Sequence, residues 1–144
     1  MSNCILCAVD MSQHEPETEV LKVAAKLAAL DGAQLDVITV VPSFGAGEVP
    51  DFFPKDYHHK AVEKTAKRLK GFVRKVLGDE VDAGVRHEVA TGKVYQEVLH
   101  AAEVAGSDLI VIGSHRPSAR DYLLGTNAAK VVRHASVSVY VVRS

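Results

Sequence analysis

The sequence predicts an α/β fold, a single open five-stranded parallel sheet with helices on both faces. Three observations predict it. Short apolar runs rich in Val and Ile alternate along the chain with longer stretches of helical spacing. Strands separated by segments of that length need crossovers, and crossovers of helical length belong to parallel pairs. Finally, the apolar runs are near-continuous where a one-sided sheet would alternate, which means that both sheet faces are covered. With 144 residues, 47% hydrophobic and 24% charged, the chain suits one domain, 1–144, around one sheet.

Ile5 to Val9 reads as the first strand, stopped by Asp10-Met11-Ser12. Val20, Val23, Ala24, Leu27 and Ala28 then repeat at helical spacing within Thr18 to Leu30, before Gly32. Leu35 to Val41 is the second strand, ended by Pro42. Gly45, Gly47, Pro50 and Pro54 among Phe44, Phe52 and Phe53 make residues 43–56 a loop with aromatic side chains. Val62, Ala66, Leu69, Val73, Val76 and Leu77 alternate steps of four and three, the spacing of a long amphipathic helix. Val85 to Ala90 is a strand, Thr91-Gly92 a turn, and Val94, Val98, Ala101, Ala102 and Ala105 mark a helix closed by Gly106. Leu109 to Ile112 is the fourth strand. A loop runs to Gly125, Thr126 to Ala135 is helical, and Val137 to Val142 is the last strand.

Composition removes several function classes. The formal net charge is -1, and the 17 basic residues are spread along the chain without forming a stripe, so no nucleic-acid partner is expected. No apolar run approaches the ~18 residues of a membrane span, and Met-Ser-Asn leads directly into an apolar strand with no leader pattern. The expected location is cytoplasmic, with no membrane partner. Cys4 and Cys7 form C-x-x-C, but within a strand positions i and i+3 face opposite sides, so two buried thiols are expected instead of a redox pair. His58-His59 lack further ligands at metal spacing and read as solvated. The G-x-S-x-G, H-E-x-x-H and G-x-x-x-x-G-K-[ST] patterns are absent.

In an open parallel sheet, ligands bind beyond the carboxyl ends of the strands, where the strand order reverses. The residues just past each strand are therefore the candidates: Asp10 and Ser12 after the first, Val40 at the end of the second, and Gly113, Ser114, His115 and Arg116 after the fourth. Gly125, Thr126 and Asn127 open the last helix, whose first amides and macrodipole suit phosphate oxygens. Gly125 allows close backbone approach, and the Thr126 hydroxyl either adds a hydrogen bond or caps the helix. His115, Arg116 and Arg120 place basic groups between two glycine-bearing turns, where they clamp a polyphosphate or stay solvated. His115 could equally donate to backbone carbonyls, and Asp10 could simply cap the next turn.

Gly113-Ser114-His115, Leu123-Leu124-Gly125-Thr126, Val131-Val132 and the run Val137 to Val142, with Ile-Leu-x-Ala-Val-Asp-x-Ser at residues 5–12, resemble the universal stress protein family along the whole chain. Nucleotide-binding members carry G-x2-G-x9-G-[ST]. Here Gly113 and Gly125-Thr126 match, Arg116 stands at the second glycine, and eight residues follow it where the pattern has nine. Ser114-His115-Arg116-Pro117, Tyr122-Leu123-Leu124-Gly125 and Asn127-Ala128-Ala129 resemble the UspF-like branch. The resemblance implies a Rossmann-like sheet of the adenine nucleotide alpha hydrolase type that binds ATP or AMP. Ala8, Val9 and Asp10 would then border adenine and ribose, and Val40 would meet the base through its backbone. Gly113, His115, Arg116, Gly125, Thr126 and Asn127 would line the ribose and phosphates. Any Mg²⁺ would ride on the phosphates.

Three functions compete: a nucleotide-binding stress-response regulator with slow or no hydrolysis, a slow ATPase, and a nucleotide-free dimeric interaction protein. The apolar last strand, Val137 to Val142, is expected at a sheet edge that invites another strand. The resemblance implies a homodimer through it, with a tetramer as the larger alternative.

Overall fold

A computed structural model of the protein describes residues 3–11, 17–42, 55–114 and 124–143. The elements follow the order β1 (Cys4–Ala8), α1 (Thr18–Asp31), β2 (Gln34–Pro42), α2 (Lys55–Leu77), α3 (Asp79–Asp82), β3 (Arg86–Gly92), α4 (Val94–Ala105), β4 (Leu109–Gly113), α5 (Thr126–His134) and β5 (Ser138–Val142). The five strands form one sheet in the order β3-β2-β1-β4-β5, parallel at every pairing. The predicted architecture is the observed one. Strand order reverses between β1 and β4, which is where the carboxyl-end crevice of such a sheet opens.

Period-two alternation distributes each strand between two cores. Ile5, Cys7, Val37 and Val111 pack with Val20, Leu21 and Ala24 of α1 and with Leu69 and Val73 of α2. Leu6, Ala8, Ile38, Ile110 and Ile112 pack on the opposite face with Val98, Ala101 and Ala102 of α4 and Ala128 and Val131 of α5. α1 and α4 both stop at a glycine in the left-handed region, Gly32 at φ 62° and Gly106 at φ 68°, where a Cβ would be strained.

The sequence reading differs from the structure in detail. Thr91 and Gly92 are the last residues of β3 and still pair with Val41 and Pro42, because β2 runs on to Pro42 and offers them a ladder. The short helix α3 was not foreseen, since four residues carry no readable period. It follows Gly78 at φ 90° and ties α2 to β3: Arg74 Nε lies 3.4 Å from Asp79 Oδ1, and His87 Nε2 lies 2.6 Å from the buried Asp82 Oδ1.

The amino-terminal end of the sheet holds a polar cluster inside an otherwise apolar setting. Asp36 is 5% exposed and faces Arg86 across the β2–β3 ladder. Arg86 donates from Nε to Oδ1 at 2.6 Å and from Nη2 to Oδ2 at 2.9 Å, a two-pronged charge-assisted pair. Its guanidinium pKa is pushed up, chiefly by that hydrogen bonding. The Cys4 thiol donates to Asp36 Oδ2 at 3.4 Å, and the Cys4 N–H donates to Asp108 Oδ2 at 2.9 Å.

Cys4 and Cys7 are both free and buried. Burial raises both thiols above their ordinary value of 9.0, and the Glu17 carboxylate adds to the effect at Cys7. A group whose pKa rises on folding contributes stability that is complete below its unfolded pKa and is lost as pH climbs past it. Unfolding stability should therefore fall between pH 8 and pH 10, by at most ~1.4 kcal/mol per pH unit for the fully buried Cys7, and the denaturant midpoint should fall with it. Cys7→Ala should flatten that slope. A wild-type midpoint as insensitive to pH as the variant's would contradict this account.

Candidate functional site

The crevice at the switch point is built by strands that end at different heights. β1 leaves the sheet first. Ala8 pairs with Ile38 on one side and with Ile112 on the other, and the ladder carries one residue further as Val9 N–H donates to the Ile38 carbonyl at 2.9 Å. The next two amides turn to side chains. Asp10 N–H donates to Glu17 Oε1 at 2.9 Å, and Met11 N–H to the buried Thr39 hydroxyl at 3.4 Å. β2 continues to Pro42, so Val40, half-buried and paired with Ala90, stands above the end of β1 as one wall. β4 forms the other wall. Gly113 pairs with Val142, and Ser114 N–H still donates to the Val142 carbonyl at 2.9 Å, so that amide is committed to the sheet.

The sequence-selected residues thus take distinct places. Ala8 and Val9 are buried at the floor, 6% and 5% exposed, while Asp10 is exposed at the rim. Gly113 and Ser114 are buried at the end of β4. Gly125 is buried and is the N-cap of α5, with φ −62° and ψ 156°. Thr126 and Asn127 follow it in the first turn and are exposed. Among the described residues no side chain caps this helix, and Thr126 does not serve as its cap. Ala129 N–H donates to the Gly125 carbonyl at 2.9 Å; the amides before it are those that helix geometry leaves outward. Ser12, His115, Arg116 and Arg120 lie outside the described residues. His59, in contrast, is exposed on α2 and pairs with Glu63 at 2.9 Å.

The helix starts differ in charge. The first turn of α1 carries Glu19 and that of α4 carries Glu97, whereas that of α5 carries no acid. An acid in the first turn neutralises the helix's partial positive charge; its absence leaves that charge for an external anion.

Two contributors were missed from sequence. Thr39 pins the exit of β1 against β2 from within an apolar run. Glu17, the N-cap residue of α1, makes no cap bond with its side chain and instead crosses to Asp10 and to the end of β4. Only the register of the folded sheet brings Gly113 to it: a methyl on Gly113 would collide with the Glu17 carboxylate and come within 2.9 Å of Val20 Cγ2.

The family model for the universal stress protein family matches residues 1–143. The chain belongs to the universal stress protein family. Among curated members, universal stress protein G of Shigella flexneri is 31% identical over 150 residues, covering 99% of this chain and 100% of the relative. Among solved structures, the universal stress protein UspA from Lactobacillus plantarum superposes with a TM-score of 0.72 at 20% identity, over 98% of this chain and 97% of the other. A universal stress protein from Archaeoglobus fulgidus, described in complex with dAMP, gives 0.61 at 22% identity over 96% of each chain. One described in complex with cAMP gives a TM-score of 0.66 at 16% identity, over 99% of this chain and 98% of the other. These likenesses establish the shared fold. Among the described residues, no helix is long and apolar enough to cross a membrane.

Proposed function

We propose that this universal stress protein binds an adenine nucleotide in the crevice between β1 and β4 and acts as a stress-response regulator, with hydrolysis slow or absent. The observation that carries the reading is the start of α5: a buried glycine, no side-chain cap and no first-turn acid, beside the switch point of an all-parallel sheet. The phosphates lie at Gly125, Thr126 and Asn127, with Arg116, Arg120 and His115 supplying charge. The base lies against Val40, and Ala8, Val9 and Asp10 form the floor beneath base and ribose. Ser12, Gly113 and Ser114 border the ribose and phosphates. Mg²⁺, which favours phosphate oxygens and water over an all-protein cage, enters with ATP.

Slow turnover accords with the position of Glu17, which is held against Asp10 and Gly113 on the α1 face of the sheet, away from α5. Two free thiols accord with a cytoplasmic location. The homodimer forms through β5, an edge strand with exposed Ser138 and Tyr140. That edge also favours the second reading, an interaction protein without nucleotide.

The test is to purify the protein without added nucleotide, denature it and chromatograph the supernatant, then titrate the stripped protein with ATP, AMP and adenosine. Released adenylate, or saturable calorimetric binding with ATP or AMP tighter than adenosine, is expected. A nucleotide-free supernatant with flat titrations would leave the interaction protein as the surviving reading.

A further inference from the structure

The Glu17 carboxylate sits at the junction of the ends of β1 and β4. The crevice is bordered by two helix starts, α1 on one sheet face and α5 on the other. At the α1 side, the first amide past β1 to turn out of the ladder, Asp10 N–H, is taken by Glu17 Oε1 at 2.9 Å. The other carboxylate oxygen lies over the Cα of Gly113, in space that a single methyl would already overfill. This is a bridge between the ends of β1 and β4, the two strands that flank the switch point. It is built by an N-cap residue whose side chain leaves its own helix uncapped.

We infer that Glu17 is a specificity-determining residue: by filling the amide and the space at the β1–β4 junction with the chain's own carboxylate, it excludes ligand phosphate from the α1 side and sets a single ligand orientation, phosphates to α5. The inference rests on the nucleotide reading given above. Its physical content is twofold. The donor that an oxyanion would use is already bonded, and a second anion brought to the same junction would meet like charge at short range. A neutral ligand portion, such as a sugar, meets neither penalty. Glu17 therefore discriminates by ligand charge and not by the base.

Glu17→Gln is the informative substitution. The glutamine carbonyl still accepts from Asp10 N–H and fills the same volume over Gly113, so packing is retained while the charge is lost. Calorimetric titration of the stripped full chain with adenosine, ATP and tripolyphosphate, at 50 mM and at 500 mM salt, reads the effect. Glu17→Gln should bind ATP and tripolyphosphate about threefold to tenfold more tightly than wild type at low salt, with the gain shrinking at high salt as screening lengths contract. Adenosine affinity should stay within about twofold. An equal change for adenosine and ATP, or weaker ATP binding in the variant, overturns the inference while leaving the nucleotide reading standing. If neither protein binds ATP, adenosine or tripolyphosphate, both fall together.

Discussion

Replacing Arg86 with alanine is expected to destabilise the protein by about 1–3 kcal/mol, the scale of losing hydrogen bonds to a buried charged group. Among the described residues, Asp36, 5% exposed, would keep the Gln34 amide at 3.4 Å and the Cys4 thiol at 3.4 Å as side-chain donors. Breaking a fully buried pair costs more, about 3–5 kcal/mol, but the Arg86 side chain is 61% exposed, so water can reach the carboxylate once the guanidinium is gone. Urea denaturation measures the loss. The replacement Asp36→Leu with Arg86→Leu should recover most of it, because an apolar pair leaves no desolvated charge behind. An Arg86→Ala midpoint equal to wild type would show that the pair contributes nothing to the β2–β3 register.

Gly125→Val is expected to weaken ATP binding at least about tenfold, equivalent to about 1.4 kcal/mol, while the fold survives. Gly125 is the buried N-cap of α5, and a β-branched side chain there stands between an incoming phosphate and the amides that follow. The backbone itself tolerates the change, since φ −62° and ψ 156° are ordinary extended values. Valine is a poor N-cap, so a loss of a few tenths to about 1 kcal/mol in stability is expected alongside. Circular dichroism and calorimetry on the same sample separate the two effects. Undiminished affinity in a folded Gly125→Val protein would remove the α5 start from the site.

Much of the architecture was legible because the strands β1, β2 and β4 are largely apolar runs and the helices between them keep their period. Gly32 and Gly106 marked two helix ends because left-handed caps favour glycine. What escaped had no local signature. Asp36 interrupts an apolar run and finds Arg86 fifty residues later, a pairing visible only once β2 and β3 lie side by side. The candidate crevice was legible in the same partial way. Strand ends and the Gly125-Thr126-Asn127 turn could be placed from pattern alone, whereas nothing in the local sequence singles out Glu17. Its role at the junction depends on Gly113 lying beside it, which is tertiary information.

The Asp36–Arg86 clamp and the crevice occupy opposite poles of the same parallel sheet. Alignment of the strands is anchored at one pole, and chemistry is displayed at the other. Sequence drift around the display pole, including the exchange of whole connecting segments, can therefore proceed in a lineage without loosening the anchor. Such a scaffold can change its ligand while keeping its frame.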